Sequence, residues 1–263
     1  MRKNIFSIIV MLTALLVLFP LTGEAQSISR NKKPATTTTK KKSTTAKSQR
    51  KDNGSGSSTT KKANESSDSS VSPEEYYLMG ERYYNQQNYS EAVNCYRKAA
   101  EQGNAAGQNS LGLMYLNGYA VEQDYNEAIK WFQKAADQGN DNGCCNLGWM
   151  YLNGYAVQQN NIKAFELYKK AAEQGNDVGQ NTLGMLYFQG IGVAQNNAEA
   201  IKWYRKSAEQ GNVDGQCNLA YMYFEGYGVS KDLSMARYWY QKAAEQGSQD
   251  AISVLEYLKR NGY

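Results

Sequence analysis

The feature that most limits what this chain can fold into is that it repeats itself every 36 residues. AEQGN, ADQGN, AEQGN, AEQGN and AEQGS begin at residues 100, 136, 172, 208 and 244. The landmarks between them keep the same step: Leu111, Leu147, Leu183 and Leu219; Tyr115, Tyr151, Tyr187 and Tyr223; Gly118, Gly154, Gly190 and Gly226; Val121, Val157, Val193 and Val229. A period of this length marks an array of stacked supersecondary units, none of which buries its apolar face alone.

Each unit reads as two helices. NSLGLMYLNG and its copies CNLGWMYLNG, NTLGMLYFQG and CNLAYMYFEG carry apolar residues at i, i+3 and i+4, the pattern of a helix with one buried face. The glycine that closes each segment suits the left-handed conformation that ends a helix. After a short loop, Asp124, Asn160, Asn196 and Asp232 are placed to cap the second helix through a side-chain oxygen. Glu127 and Glu199, three residues on, are expected to complete capping boxes. In the first of these second helices Ala128, Trp131, Phe132 and Ala135 are expected to be buried, small residues allowing close approach and aromatics filling the space between. Burying each leucine or aromatic contributes about 1.5–3 kcal/mol.

The string LGLMYLNGYAVEQDYNEAIKWFQKAADQGN resembles the Sel-one-like repeat, a tetratricopeptide relative with a lengthened loop between its helices. Four copies carry it, at 104–139, 140–175, 176–211 and 212–247. Residues 73–103 differ: Gly80 stands 12 residues before Ala92, where Gly112 stands 16 before Ala128. Gly80, Tyr83, Ala92, Tyr96 and Ala99 therefore resemble a leading tetratricopeptide unit with the short turn. Residues 248–263 read as a capping helix, with Lys259 and Arg260 near its carboxyl end. The resemblance implies an all-α, α/α superhelical solenoid and a binding scaffold, with no catalytic residues, cofactor or metal.

The amino-terminal stretch is of another kind. Arg2 and Lys3, an apolar run from Ile5 to Leu21 and the small residues around Gly23-Glu24-Ala25 read as a signal peptide cleaved after Ala25. Pro20 interrupts the run, which at about 17 residues is at the lower end of a membrane span. The mature chain is thus expected to be exported, to the periplasm or beyond, with no transmembrane segment. Residues 26–72 are Lys-, Thr- and Ser-rich and lack any apolar pattern, so they are expected to stay disordered. They carry 11 Lys and Arg against Asp52, Glu65 and Asp68. The whole chain is only +4, which leaves the repeats net acidic. The basic segment is either a solvated spacer or a grip for an anionic envelope polymer, and the latter defines an envelope-structural alternative. No nucleic-acid partner is expected.

Histidine is absent, which excludes Ser-His-Asp and Cys-His catalysis and histidine-based zinc sites. Ser48–Lys51 and Ser58–Lys61 match the Ser-x-x-Lys spacing of penicillin-recognising enzymes, but both fall in the disordered segment, where nothing holds an oxyanion hole. GIGV and GYGV lie between two helices, whereas phosphate-binding glycine loops follow a strand. A cysteine-rich branch of the resembled family, described as penicillin-binding, supplies the enzymatic alternative; that branch needs cysteine pairs within a unit. Here Cys144, Cys145 and Cys217 fall on first helices and Cys95 on the leading unit's second. Free, mostly buried thiols are expected.

By the same resemblance, certain first-helix positions face the concave side. The expected partner-binding residues are Tyr77; Asn109, Leu113 and Asn117; Trp149 and Asn153; Asn181, Met185 and Phe188; and Tyr221 and Phe224, with Leu116, Cys145, Leu152 and Cys217 beside them. Neighbouring Leu, Gly and Tyr positions barely vary, while 113, 149, 185 and 221 read Leu, Trp, Met and Tyr. Large apolar residues with interspersed asparagine are what a peptide-binding groove uses. No groove lysine is present to clamp a peptide carboxylate.

Overall fold

A computed structural model of the protein describes residues 71–263; the signal-peptide and basic-segment readings fall almost wholly on residues 1–70, outside the described residues. The described residues form eleven α-helices and no strand. The leading unit pairs α1 (Pro73–Asn85) with α2 (Tyr89–Glu101). Four longer-looped units follow: α3 (Ala105–Asn117) with α4 (Tyr125–Asp137), α5 (Asp141–Asn153) with α6 (Asn161–Glu173), α7 (Asp177–Gln189) with α8 (Asn197–Glu209), and α9 (Val213–Glu225) with α10 (Leu233–Glu245). The last helix is α11 (Gln249–Arg260). Each first helix packs on its own second helix and on the second helix of the unit before it, which makes the chain a solenoid of helical hairpins.

The ends of these helices are written in the repeat. Asp124, Asn160, Asn196 and Asp232 each accept a backbone N–H of the second helix they open. Gly118, Gly154, Gly190 and Gly226 close the first helices at positive φ. The asparagine of each AEQGN string caps the next first helix: Asn104, Asn140, Asn176 and Asn212 accept from Gly107, Gly143, Gly179 and Gly215. A reciprocal capping box forms at α1, between Ser72 and Glu75. The boxes expected at Glu127 and Glu199 do not form, because these carboxylates turn to Lys130 and Lys202 one turn along. Trp131, expected in the core, is half-exposed and lies beneath the Lys134 ammonium, 4.0 Å from the ring centroid.

Two glycines on each of α3, α5 and α7 set the spacing; α9 keeps the first, Gly215, and has Ala220 at the second position. A Cβ added at Gly112 would stand 2.6 Å from the Phe132 ring, and at Gly184, 2.7 Å from Tyr204. These are contacts within a hairpin. Between hairpins, a Cβ at Gly107 or Gly143 would stand 2.7 Å from the Ala99 or Ala135 methyl. Helices brought this close enclose Leu111, Leu147, Leu183 and Leu219, all fully buried. At α11 the pattern turns polar. Glu256 occupies the place of Ala220 and pairs with Arg260 instead of meeting another helix.

The inter-helix loops lean on the preceding unit. Gly192 has φ +71, and a Cβ there would collide with the Asn161 carbonyl. Gly175, φ +95, has open space around it. Alanine holds the Gly192 loop position in other units, at Ala120 and Ala156, each at φ +55, so a methyl is accommodated; Gly192→Leu is expected to lower unfolding free energy by about 2–3 kcal/mol, and Gly175→Leu by only about 1 kcal/mol. Urea unfolding of the two variants measures this; equal losses would show that the loop contact does not constrain the array.

Candidate partner-binding face

First helices of successive units touch one another, α1 with α3, α3 with α5, α5 with α7 and α7 with α9, while the second helices make no comparable contact. The closer-set row of a curved array is its inner row, so the first helices line the hollow side. On it, Tyr77, Leu113, Trp149, Met185, Phe188, Tyr221 and Phe224 are all half-buried. Leu113, Trp149 and Met185 rest on one core cluster; Met185, Phe188 and Phe224 rest on the next. These side chains divide their surface between the spine and the open side.

Aromatic residues of the inter-helix loop fold against this row. Trp149 stacks on Tyr155 with centroids 4.9 Å apart and planes 22° from parallel, and Tyr155 in turn lies 5.1 Å from Tyr125 of the unit before. Phe188 meets Tyr227 at 5.5 Å and Tyr221 edge-on at 6.4 Å, across a unit boundary. Tyr89 of the leading unit stacks on Tyr119 of the next unit's loop at 4.9 Å. Loop positions 119, 155 and 227 were legible as a tyrosine recurring on the 36-residue step, with Ile191 in the remaining copy; sequence reasoning passed over them because a loop aromatic has no helical period to join.

Residues 105–140, 142–176, 178–212 and 213–248 match the Sel1 repeat, and residues 73–103 match the tetratricopeptide repeat. The chain belongs to the Sel1 repeat family. Among solved structures it is similar to a Sel1 repeat protein from Oxalobacter formigenes, with 33% identity over 75% of this chain and 80% of that one, at a TM-score of 0.69. It is also similar to a protective antigen of uropathogenic Escherichia coli with this repeat fold, with 41% identity, 72% of this chain covered and a TM-score of 0.65. This chain spans 42% of the antigen's length. No curated protein matches it.

The polar residues between Sel1 units are largely spoken for. Asn109, 7% exposed, accepts from the Asn146 amide at 2.7 Å, and Asn181 accepts from Asn218 at 2.9 Å. Asn117 and Asn153 donate back to the carbonyls of Leu113 and Trp149. A second ladder was missed in the sequence. Gln108, Gln180 and Gln216 are buried, donate to the Ala100, Ala172 and Ala208 carbonyls of the unit before, and accept from Gln138, Gln210 and Gln246, which end the second helix of their own unit. In the second Sel1 unit Cys144 stands where this glutamine would be, and Lys170 instead donates to the Ala136 carbonyl at 2.7 Å.

Leu116 and Cys145, expected on the open face, belong to the core; the neighbouring unit covers both. All four thiols are free. Burial pushes each of them up, Cys145 well above its ordinary value and Cys217 to about 11. Raised thiols stay protonated near neutral pH and are poor nucleophiles. Among the described residues no His, Cys, Asp and Glu group gathers as a metal site, and no helix is long and apolar enough to cross a membrane. Asn146→Ala leaves the buried Asn109 oxygen unpaired and is expected to cost about 1–3 kcal/mol; Asn153→Ala, at an exposed position, is expected to cost less than about 0.5 kcal/mol. Thermal and urea unfolding compare them, and equal effects would remove the distinction between framework and face.

Proposed function

We propose that this chain is a non-catalytic scaffold whose inner face holds a peptide or protein partner. One contrast carries the reading. In a frame where glycines, caps and the Leu111 series repeat, the adjacent face positions read Leu113, Trp149, Met185 and Tyr221, each half-buried. A side chain that only filled space between identical hairpins could be identical in each. Large apolar residues left partly open in a row supply the anchors that dominate recognition energy, and Phe188 and Phe224 extend the strip. An extended segment lying along the row would meet one anchor per unit.

The absence of histidine and the protonated thiols support binding over covalent chemistry. Reading residues 1–25 as a signal peptide supports work in the periplasm or outside the cell, and similarity to a bacterial protective antigen agrees with it. Residues 26–72 then act as a spacer or as a grip on an anionic envelope polymer.

The test is selection of peptides from a displayed library on the immobilised full-length chain, followed by affinity measurement on variants. Trp149→Ala and Met185→Ala are expected to weaken a selected peptide at least about tenfold, a loss of roughly 1.4 kcal/mol or more. Ile162→Ala, on a second helix where the residue is 63% exposed, is expected to leave it unchanged. Measurement well below each variant's melting temperature separates capture from folding. Peptides that depend on Ile162 and ignore Trp149 would put the binding face elsewhere.

A further inference from the structure

The repeats divide their charge by helix. α3, α5, α7 and α9 contain no lysine or arginine, and their charged residues are the acids Asp141, Asp177, Asp214 and Glu225. The cations of the Sel1 units sit on the second helices and are used there, apart from Lys231 in the loop before α10, which lies 5.0 Å over the Phe224 ring. Lys163 donates to the Tyr151 hydroxyl, Arg205 to Tyr223 and Lys170 to a carbonyl; Lys134 and Lys206 lie over Trp131 and Trp203. Ion pairs formed between described residues all lie within second helices or α11. First-helix acids of the Sel1 units therefore form no ion pair; Asp141, Asp177 and Asp214 stand in first turns, at the positive helix ends, whereas Glu225 does not. Asp141 accepts from the Asn142 backbone N–H and the Asn176 amide, and Asp177 from the Asn212 amide.

Glu225 brings this charge onto the aromatic strip. It ends α9, one residue past Phe224, where the other Sel1 units carry Asn117, Asn153 and Gln189. A carboxylate at a helix's negative end is unfavourable, and this one raises the pKa of Tyr221, whose hydroxyl is pushed up to about 12 chiefly by burial. The position tolerates an amide in three of four units, so the fold does not require an acid there. The faces of Trp149, Tyr221 and Phe188 themselves carry negative quadrupoles that attract ammonium and guanidinium groups.

We propose that the guest of the inner row is an extended polypeptide in which lysine or arginine alternates with apolar side chains. The inference rests on the inner-face reading above and names the chemistry of its partner. Apolar side chains of the guest seat between Leu113, Trp149, Met185 and Phe224, while its cations meet aromatic faces and Glu225. α3, α5, α7 and α9 carry no cation to oppose it; Lys231, from the loop, already covers the Phe224 face, which leaves the faces of Trp149 and Tyr221 for the guest's cations.

Fluorescence anisotropy with three labelled twelve-residue peptides, alternating Lys-Leu, Gln-Leu and Glu-Leu, tests this on the full-length chain. The Lys-Leu peptide is expected to bind about tenfold more tightly than Gln-Leu, with Glu-Leu weakest, and the advantage is expected to shrink as salt is raised. Glu225→Gln, which installs the side-chain type of Gln189, is expected to weaken Lys-Leu about threefold and leave Gln-Leu unchanged. Trp149→Ala is expected to weaken both. A Lys-Ser peptide, cationic but without apolar side chains like residues 38–51, is expected to bind at least about tenfold more weakly than Lys-Leu. Equal binding of Lys-Leu and Gln-Leu that still depends on Trp149 overturns the charge assignment and leaves the face intact. Lys-Leu binding indifferent to Trp149 places the attraction elsewhere on the acidic body and overturns the proposal. Binding of none of the peptides overturns it together with the inner-face reading.

Discussion

The whole array depends on how closely its helices can approach, and glycine decides that. Gly112 lies under the Phe132 ring and Gly184 under Tyr204, at distances where a single added carbon would clash. Gly107 and Gly143 make the corresponding approach to the alanine of the hairpin before. One glycine holds a hairpin shut and the other holds hairpins to each other. Close approach then brings the buried glutamines within reach of the alanine carbonyls of the unit before, and the asparagines within reach of one another across unit boundaries. In a packed interior such polar groups would be costly unpaired; here they join neighbouring units in register.

The same spacing accounts for the open face. Because both close contacts lie on the sides of the first helix that meet second helices, its remaining side is free of the packing constraint. Side chains there change from unit to unit, while the packed positions stay small: Gly112, Gly148, Gly184 and Ala220. The lengthened loop returns over this side and adds Tyr155 and Tyr227 to it, so a face that began as leftover surface carries aromatic groups around Trp149 and Phe188, with Met185 between them in the row. Charge is divided as well: first helices of the Sel1 units carry acids and no lysine or arginine, while second helices carry both signs and pair them.

Sequence periodicity was enough to read the architecture, since a 36-residue step with a glycine stop and an Asp or Asn start defines both helices of a unit. Less local features were not legible. Glu127 had the spacing for a capping box, but the same spacing offered Lys130 as a partner, and the ion pair won. Cys145 and Leu116 occupy plausible face positions within their own helix; only the neighbouring unit buries them. Asn109 and Asn181 likewise looked like groove residues until Asn146 and Asn218 were seen to engage them. Contacts between units join residues more than thirty positions apart, and no window of one helix reveals them. The apolar face positions were easier, because their variation against a constant frame is visible in the letters alone.

The account turns on whether a guest touches the first-helix row and leaves the spine undisturbed, and methionine methyl resonances report on both at once. Met185 is half-buried on the row, while Met114, Met150 and Met222 are fully buried in the spine. In a sample labelled at methionine methyls, addition of the Lys-Leu peptide is predicted to shift Met185 and hold Met114, Met150 and Met222 in place. A Met185 signal that stays fixed at saturation, or a shift spread equally over the buried methionines, would contradict it.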